Sequence, residues 1–165
     1  MSAIGYFTAL LVCWLGVFAG GALAMIAPEE LESGKKYHLI VQRVVLCLMA
    51  AVLVLVEFNW YFAAVALTIL YLFSSTTKIR DWIAHNSEHL YWAMSIALIF
   101  SFGNTSLMLA EASLILVFSF TTATLASEAF VEQGWISVAN NLLKKFFAFP
   151  LLGTILYLVS QLFYQ

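Results

Sequence analysis

The sequence predicts an all-α integral membrane protein, a bundle of about six transmembrane helices joined by short loops. Three observations predict it. Of 165 residues, 64% are hydrophobic and only 10% are charged, against about 25% charged in an ordinary soluble domain. That is too little charge to coat a water-facing surface, so lipid must do the coating. The apolar residues fall in runs of about 20, the length a helix needs to cross the hydrocarbon core. Lys and Arg occupy only alternate loops.

The first apolar run covers 3–27 and stops at Pro28-Glu29-Glu30. It has no Lys or Arg before it and is longer than a signal-peptide core, so it reads as a retained span. The segment 28–38, with Ser33-Gly34 as a turn signal and Lys35-Lys36 after it, reads as a loop. The apolar stretch beyond it is too long for one crossing. A tight turn at Glu57-Phe58-Asn59 divides it into spans 39–58 and 59–77. The charged segment 78–89 leads into a fourth span, 83–102. Gly103-Asn104-Thr105-Ser106 is the next turn, and the fifth span covers 107–126. Residues 127–145 read as a mixed loop with a short amphipathic helix near its end. The sixth span is 146–164, with Pro150 in its first turn or making a kink one turn in. The whole chain forms one transmembrane domain.

The seven Lys and Arg residues partition completely. Lys35, Lys36 and Arg43 lie at the first loop, Lys78 and Arg80 at the third, and Lys144 and Lys145 at the fifth. Positive residues in short loops mark the cytoplasmic side. The sequence therefore predicts a multi-pass protein with both termini outside and the larger loops cytoplasmic. Trp60 and Tyr61 fall at the outer interface, and Tyr37, Trp82, Tyr91 and Trp92 near the inner one.

Net charge is −2, which gives nucleic acid no electrostatic footprint. Cys13 and Cys47 lie inside apolar runs, where thiols behave as small hydrophobes. The chain has no G-x-S-x-G and no glycine-rich phosphate loop, and its sequence leaves the cofactor unknown. The expected partners are the bilayer and, for assembly, a second copy or a partner membrane subunit.

Three sets of residues carry the functional expectations. Gly16, Gly20 and Ala24 recur every four residues and form a smooth stripe for helix packing. Ionisable and polar residues at membrane depth mark pathways or partners. Glu111 lies about one turn inside the fifth span and snorkels poorly. Arg43 lies at a similar depth near the opposite membrane face and reaches the interface easily. Glu57 is the nearest acidic candidate to Glu111. Thr121, Thr124 and Glu128 share a face at spacings of three and four, giving a candidate polar pathway down the fifth span. Finally, Asp81, His85 and His89 are spaced by four. On a helix they would present a carboxylate and two imidazoles to one metal, with Glu88 beside them. Histidine-rich boxes also occur in membrane lipid-modifying di-iron enzymes, but such sites need several boxes and only His38 remains elsewhere, so these residues point to no family.

These sets support three functional classes. The leading one is a non-enzymatic subunit or scaffold of a membrane oligomer or complex. The second is a small transporter or channel using Glu111 and the polar face of the fifth span. The third is a metal-dependent enzyme acting on lipid at the cytoplasmic face.

Overall fold

The computed structural model describes residues 2–57 and 85–163; side chains 53–57 and 163 are outside the description. The described residues are helical almost throughout, with no strand. Six α-helices appear in order: α1 (Ala3–Ile26), α2 (Pro28–Glu57), α3 (Ser87–Phe100), α4 (Thr105–Ser127), α5 (Trp135–Phe146) and α6 (Ala148–Phe163). Short 3-10 segments, Ser101–Gly103 and Glu128–Gln133, precede and follow α4. Among the described residues, three helical stretches are long and apolar enough to cross a membrane: Ala3–Ile26, Thr105–Gln133 and Trp135–Leu162. Glu57 of the expected turn ends α2, while Phe58, Asn59, the rest of the span 59–77, and Lys78, Arg80, Asp81 and Trp82 lie outside the described residues.

The helix ends follow local chemistry. Ser2 caps α1 by accepting from the Gly5 N–H at 3.2 Å. Ala27 leaves the helical region (φ −129°, ψ 61°), as a residue before proline tends to. Asn104 caps α4, its side chain accepting from the Leu107 N–H at 3.1 Å, so the expected Gly103–Ser106 turn becomes a helix start.

Two expectations need correction. Residues 28–38 are not a loop. Pro28 takes the first position of α2, where its missing N–H costs nothing. Glu29 and Glu30 then complement the positive end of the helix dipole. Ser33 bonds back to the Glu30 carbonyl at 3.1 Å, so the Ser33-Gly34 signal is absorbed into the helix. Residues 127–145 are also mostly helical. Their one break is Gly134, whose φ of 87° suits glycine. The amphipathic helix expected near the end of that segment is α5, burying Val138, Leu142 and Phe146. Pro150 sits in the first turn of α6. Lacking an N–H, it cannot bond the Phe146 carbonyl, and α5 ends at that residue.

Helix directions follow from the contacts. α1 and α4 run side by side in the same direction. Cys13 donates to the Ala112 carbonyl at 3.3 Å, Gly16 lies against Leu116 and Ser119, and Gly20 lies against Phe120 and Ala123. This is the most extensive helix contact among the described residues, followed by that of α2 with α4. α2 runs opposite to α4, since Lys35 meets Glu128 and Gln42 meets Thr122. α5 and α6 together run opposite to α1. Gly21 abuts Val138 and Leu142, whereas Tyr6 and Leu10 abut Gly153.

At the end of the bundle near the start of α1, Tyr6, Phe102 and Tyr157 touch ring to ring with centroids 5.1–5.7 Å apart. Deeper in, Tyr91 is fully buried and stacks on Phe149 at 4.3 Å. Its hydroxyl donates to the Cys13 carbonyl at 3.1 Å. The large apolar side chains left exposed, such as Ile4, Leu11, Phe100, Leu109 and Leu158, lie on outward faces. That surface suits hydrocarbon and not water.

Candidate functional site

The buried polar groups centre on α4, because α1 and α2 both pack along it. In a dry helix bundle each polar group must find an internal partner. Most here do. Ser119 donates to the Leu116 carbonyl at 2.8 Å. Thr121 donates to Phe118 and Val117 at 3.0 and 3.2 Å. Thr124 reaches the Phe120 carbonyl at 2.8 Å and, across the helix pair, the Gly20 carbonyl at 3.1 Å. Ser127 donates to Ala123 at 2.8 Å. These hydroxyls are bonded to backbone.

The stripe Gly16, Gly20 and Ala24 is buried. A Cβ on Gly16 would fall inside contact distance of the Ser119 hydroxyl, and one on Gly20 would strike the Phe120 carbonyl. The α1 glycines therefore set how closely α1 approaches α4, and that approach makes the Thr124–Gly20 hydrogen bond.

Between α2 and α4, Gln42 is fully buried and its Nε2 donates to Thr122 Oγ1 at 2.9 Å. Its Oε1 has no hydrogen-bond partner among the described residues. Sequence reasoning missed Gln42. The signal was present: a lone amide inside the apolar run 39–58, beside Arg43. Arg43 is partly buried on the same helix.

Glu111 is the other exception. Its side chain is fully buried, and neither carboxyl oxygen has a hydrogen-bond partner among the described residues. Helical geometry puts it on the α4 face of Ile115, Phe118 and Thr122, at offsets of four, seven and eleven; all four residues are 0% exposed. Eleven residues at 1.5 Å separate Glu111 from the Gln42–Thr122 bond by about 16 Å along the axis. Glu111 and the Gln42–Arg43 pair are thus at different depths. The Glu57 side chain, its expected acidic neighbour, lies outside the described residues.

Glu128 lies not in the core but at the surface, bonded to Lys35 at 2.9 Å with side chains 37% and 52% exposed. Such a pair contributes at most about 1 kcal/mol; it marks where α2 passes the end of α4. A second pair, Lys145–Glu88 at 2.7 Å, is less exposed. It joins α5 to the start of α3, beside the Trp92 Nε1 bond to the Lys145 carbonyl at 2.9 Å.

His85 and His89 are both exposed. Asn86, a turn residue (φ −107°, ψ 17°), separates them, and α3 begins only at Ser87. His89 packs edge-on against Trp92 at 4.8 Å. Asp81 lies outside the described residues, and among those described no three His, Cys, Asp or Glu side chains gather as a metal site.

Among the described residues, two apolar grooves open on the surface. One lies between α1 and α4, along Thr8, Ala9, Val12, Met108 and Ala112. The other lies between α3 and α6, along Ile99, Phe100, Phe102, Leu156 and Val159. Glu111 lines neither. Compared with protein-family models, curated proteins and solved structures, the chain matches none.

Proposed function

We propose that this chain is a non-enzymatic subunit or scaffold of a membrane oligomer or complex. It crosses the bilayer about six times, with both termini outside and the lysine-bearing segments cytoplasmic. One observation carries the reading: the hydroxyls buried along α4 are bonded to backbone or to Gln42, so these hydroxyls serve helix packing. The helix directions support the crossing pattern, since α1 and α4 run one way and α2 and α5–α6 the other; α3 also runs opposite to α1, Tyr91 meeting Cys13 and the following Phe102 meeting Tyr6.

Native mass spectrometry of protein released from membranes with its surrounding lipid tests the assembly. The expected result is a discrete species heavier than one 18.4 kDa chain, either a whole-number multiple or a stoichiometric heteromer. That species should persist in Glu111→Gln. Monomer alone would overturn the proposal.

A second reading, a small transporter or channel, is favoured by the unpartnered Glu111 carboxyl. It replaces the first if liposomes containing only this chain show a pH-dependent flux that Glu111→Gln abolishes.

A further inference from the structure

We infer that Glu111 is a membrane-embedded proton-binding site, whichever of the two functions the chain serves. On its own helix face Glu111 sits between Leu107 and Met108 on one side and Ile115 and Phe118 on the other, all buried. An ionised carboxylate with no hydrogen bond in such a place carries a large solvation cost, and a neutral carboxylic acid a far smaller one. The carboxyl reaches no bulk water, since its residue is 0% exposed.

Among the described side chains, the titratable and charged groups on the helices packed against α4 are occupied elsewhere or distant; that of Glu57 on α2 lies outside the description. On α1, the Tyr6 hydroxyl donates to the Gly153 carbonyl at 3.0 Å and the Cys13 thiol to Ala112. On α3, the Tyr91 hydroxyl donates to Cys13 and Glu88 pairs with Lys145 of α5, while His89 is exposed. On α5, Lys144 is exposed as well. On α2, His38 and Arg43 flank the Gln42 level, about 16 Å along α4 from Glu111 by helix rise. Cys47, farther along α2, is a thiol and supplies no charge to balance a carboxylate. Glu128 pairs with Lys35 at the far end. Among the described residues none of these bonds the Glu111 carboxyl.

Among the described residues, the same surroundings favour a proton over a metal cation. A hard cation needs several oxygen ligands around it. The next polar residue on this face of α4 is Thr122, three turns away, and it is already held by Gln42. A proton needs only the carboxyl. Its release would leave a charge that water or a counter-ion must reach. Exchange is therefore coupled to a transient opening of the packed face that Ile115 and Phe118 close.

Infrared difference spectroscopy of the full chain in liposomes tests this, with pH as the variable. The expected spectrum contains the carbonyl stretch of a protonated carboxyl at the high-frequency edge typical of one without hydrogen bonds. The band should disappear as the pH is raised, be absent from Glu111→Gln, and return in Glu111→Asp, which keeps a carboxyl. An identical band in Glu111→Gln, or no titrating band in the parent protein, would overturn the assignment. Loss of the band on adding sodium at constant pH would also overturn it, in favour of a cation site. None of these outcomes depends on oligomeric state, which native mass spectrometry reads separately.

Discussion

Gly20→Leu is expected to cost the bundle about 3 kcal/mol, the upper end of the usual cost of overpacking. The obstacle at Gly20 is the Phe120 carbonyl, a backbone atom, with Ala123 beside it. A flexible side chain could turn away, but a helix backbone cannot, so α1 and α4 must separate. Separation also breaks the Thr124 bond to the Gly20 carbonyl, worth about 0.6 kcal/mol more in a membrane. Gly16→Leu should cost less, because Ser119 and Leu116 side chains are its nearest neighbours and each can shift. Gly103→Leu is the control: a Cβ there meets nothing within 4 Å. Thermal unfolding in detergent should rank the three as Gly20, Gly16, Gly103. Equal losses at all three would mean that α1 does not pack on α4 through this stripe.

Tyr91→Ala is expected to be the most disruptive single truncation, at about 3–5 kcal/mol for removing a buried aromatic side chain. Tyr91 joins three helices: it stacks on Phe149 of α6, meets Phe146 of α5 edge-on at 5.6 Å, and bonds the Cys13 carbonyl of α1. Tyr91→Phe keeps the rings and loses only the hydroxyl, so its cost should be about 1 kcal/mol. Denaturant titration of the two variants separates ring packing from hydrogen bonding. A Phe variant as unstable as the Ala variant would place the stabilisation in the hydroxyl instead.

Much of the bundle was legible in the sequence because bilayer thickness sets a length, and the runs 3–27 and 107–126 match it. They correspond to α1 and α4 within two residues at each end. The glycine stripe was legible for a similar reason: a spacing of four has one geometric meaning on a helix. Hydropathy failed where helices leave the apolar zone. Residues 28–38 are charged yet helical, since proline at the first position and two acids after it start a helix in water as well as in lipid. Thr121, Thr124 and Glu128 share a face, as their spacing implies; on it the two hydroxyls are bonded to backbone and Glu128 forms a surface ion pair. Gln42 and Thr122, on different helices, are the pair that meets, and a cross-helix pair has no signature in spacing along one helix. Glu111 was legible because a short-stemmed acid at that depth has little access to water whatever the packing.

The central claim is a polytopic membrane bundle whose lysine-bearing segments face the cytoplasm, and labelling of single cysteines with an impermeant maleimide on intact cells tests it most directly. With Cys13 and Cys47 replaced by Ala, one cysteine is placed at Ser2, Ser33 or Gln133, all exposed positions. The account predicts labelling at Ser2→Cys on intact cells, and labelling at Ser33→Cys and Gln133→Cys only after the membrane is opened. Labelling of Ser33→Cys or Gln133→Cys on intact cells, with Ser2→Cys protected, would contradict it.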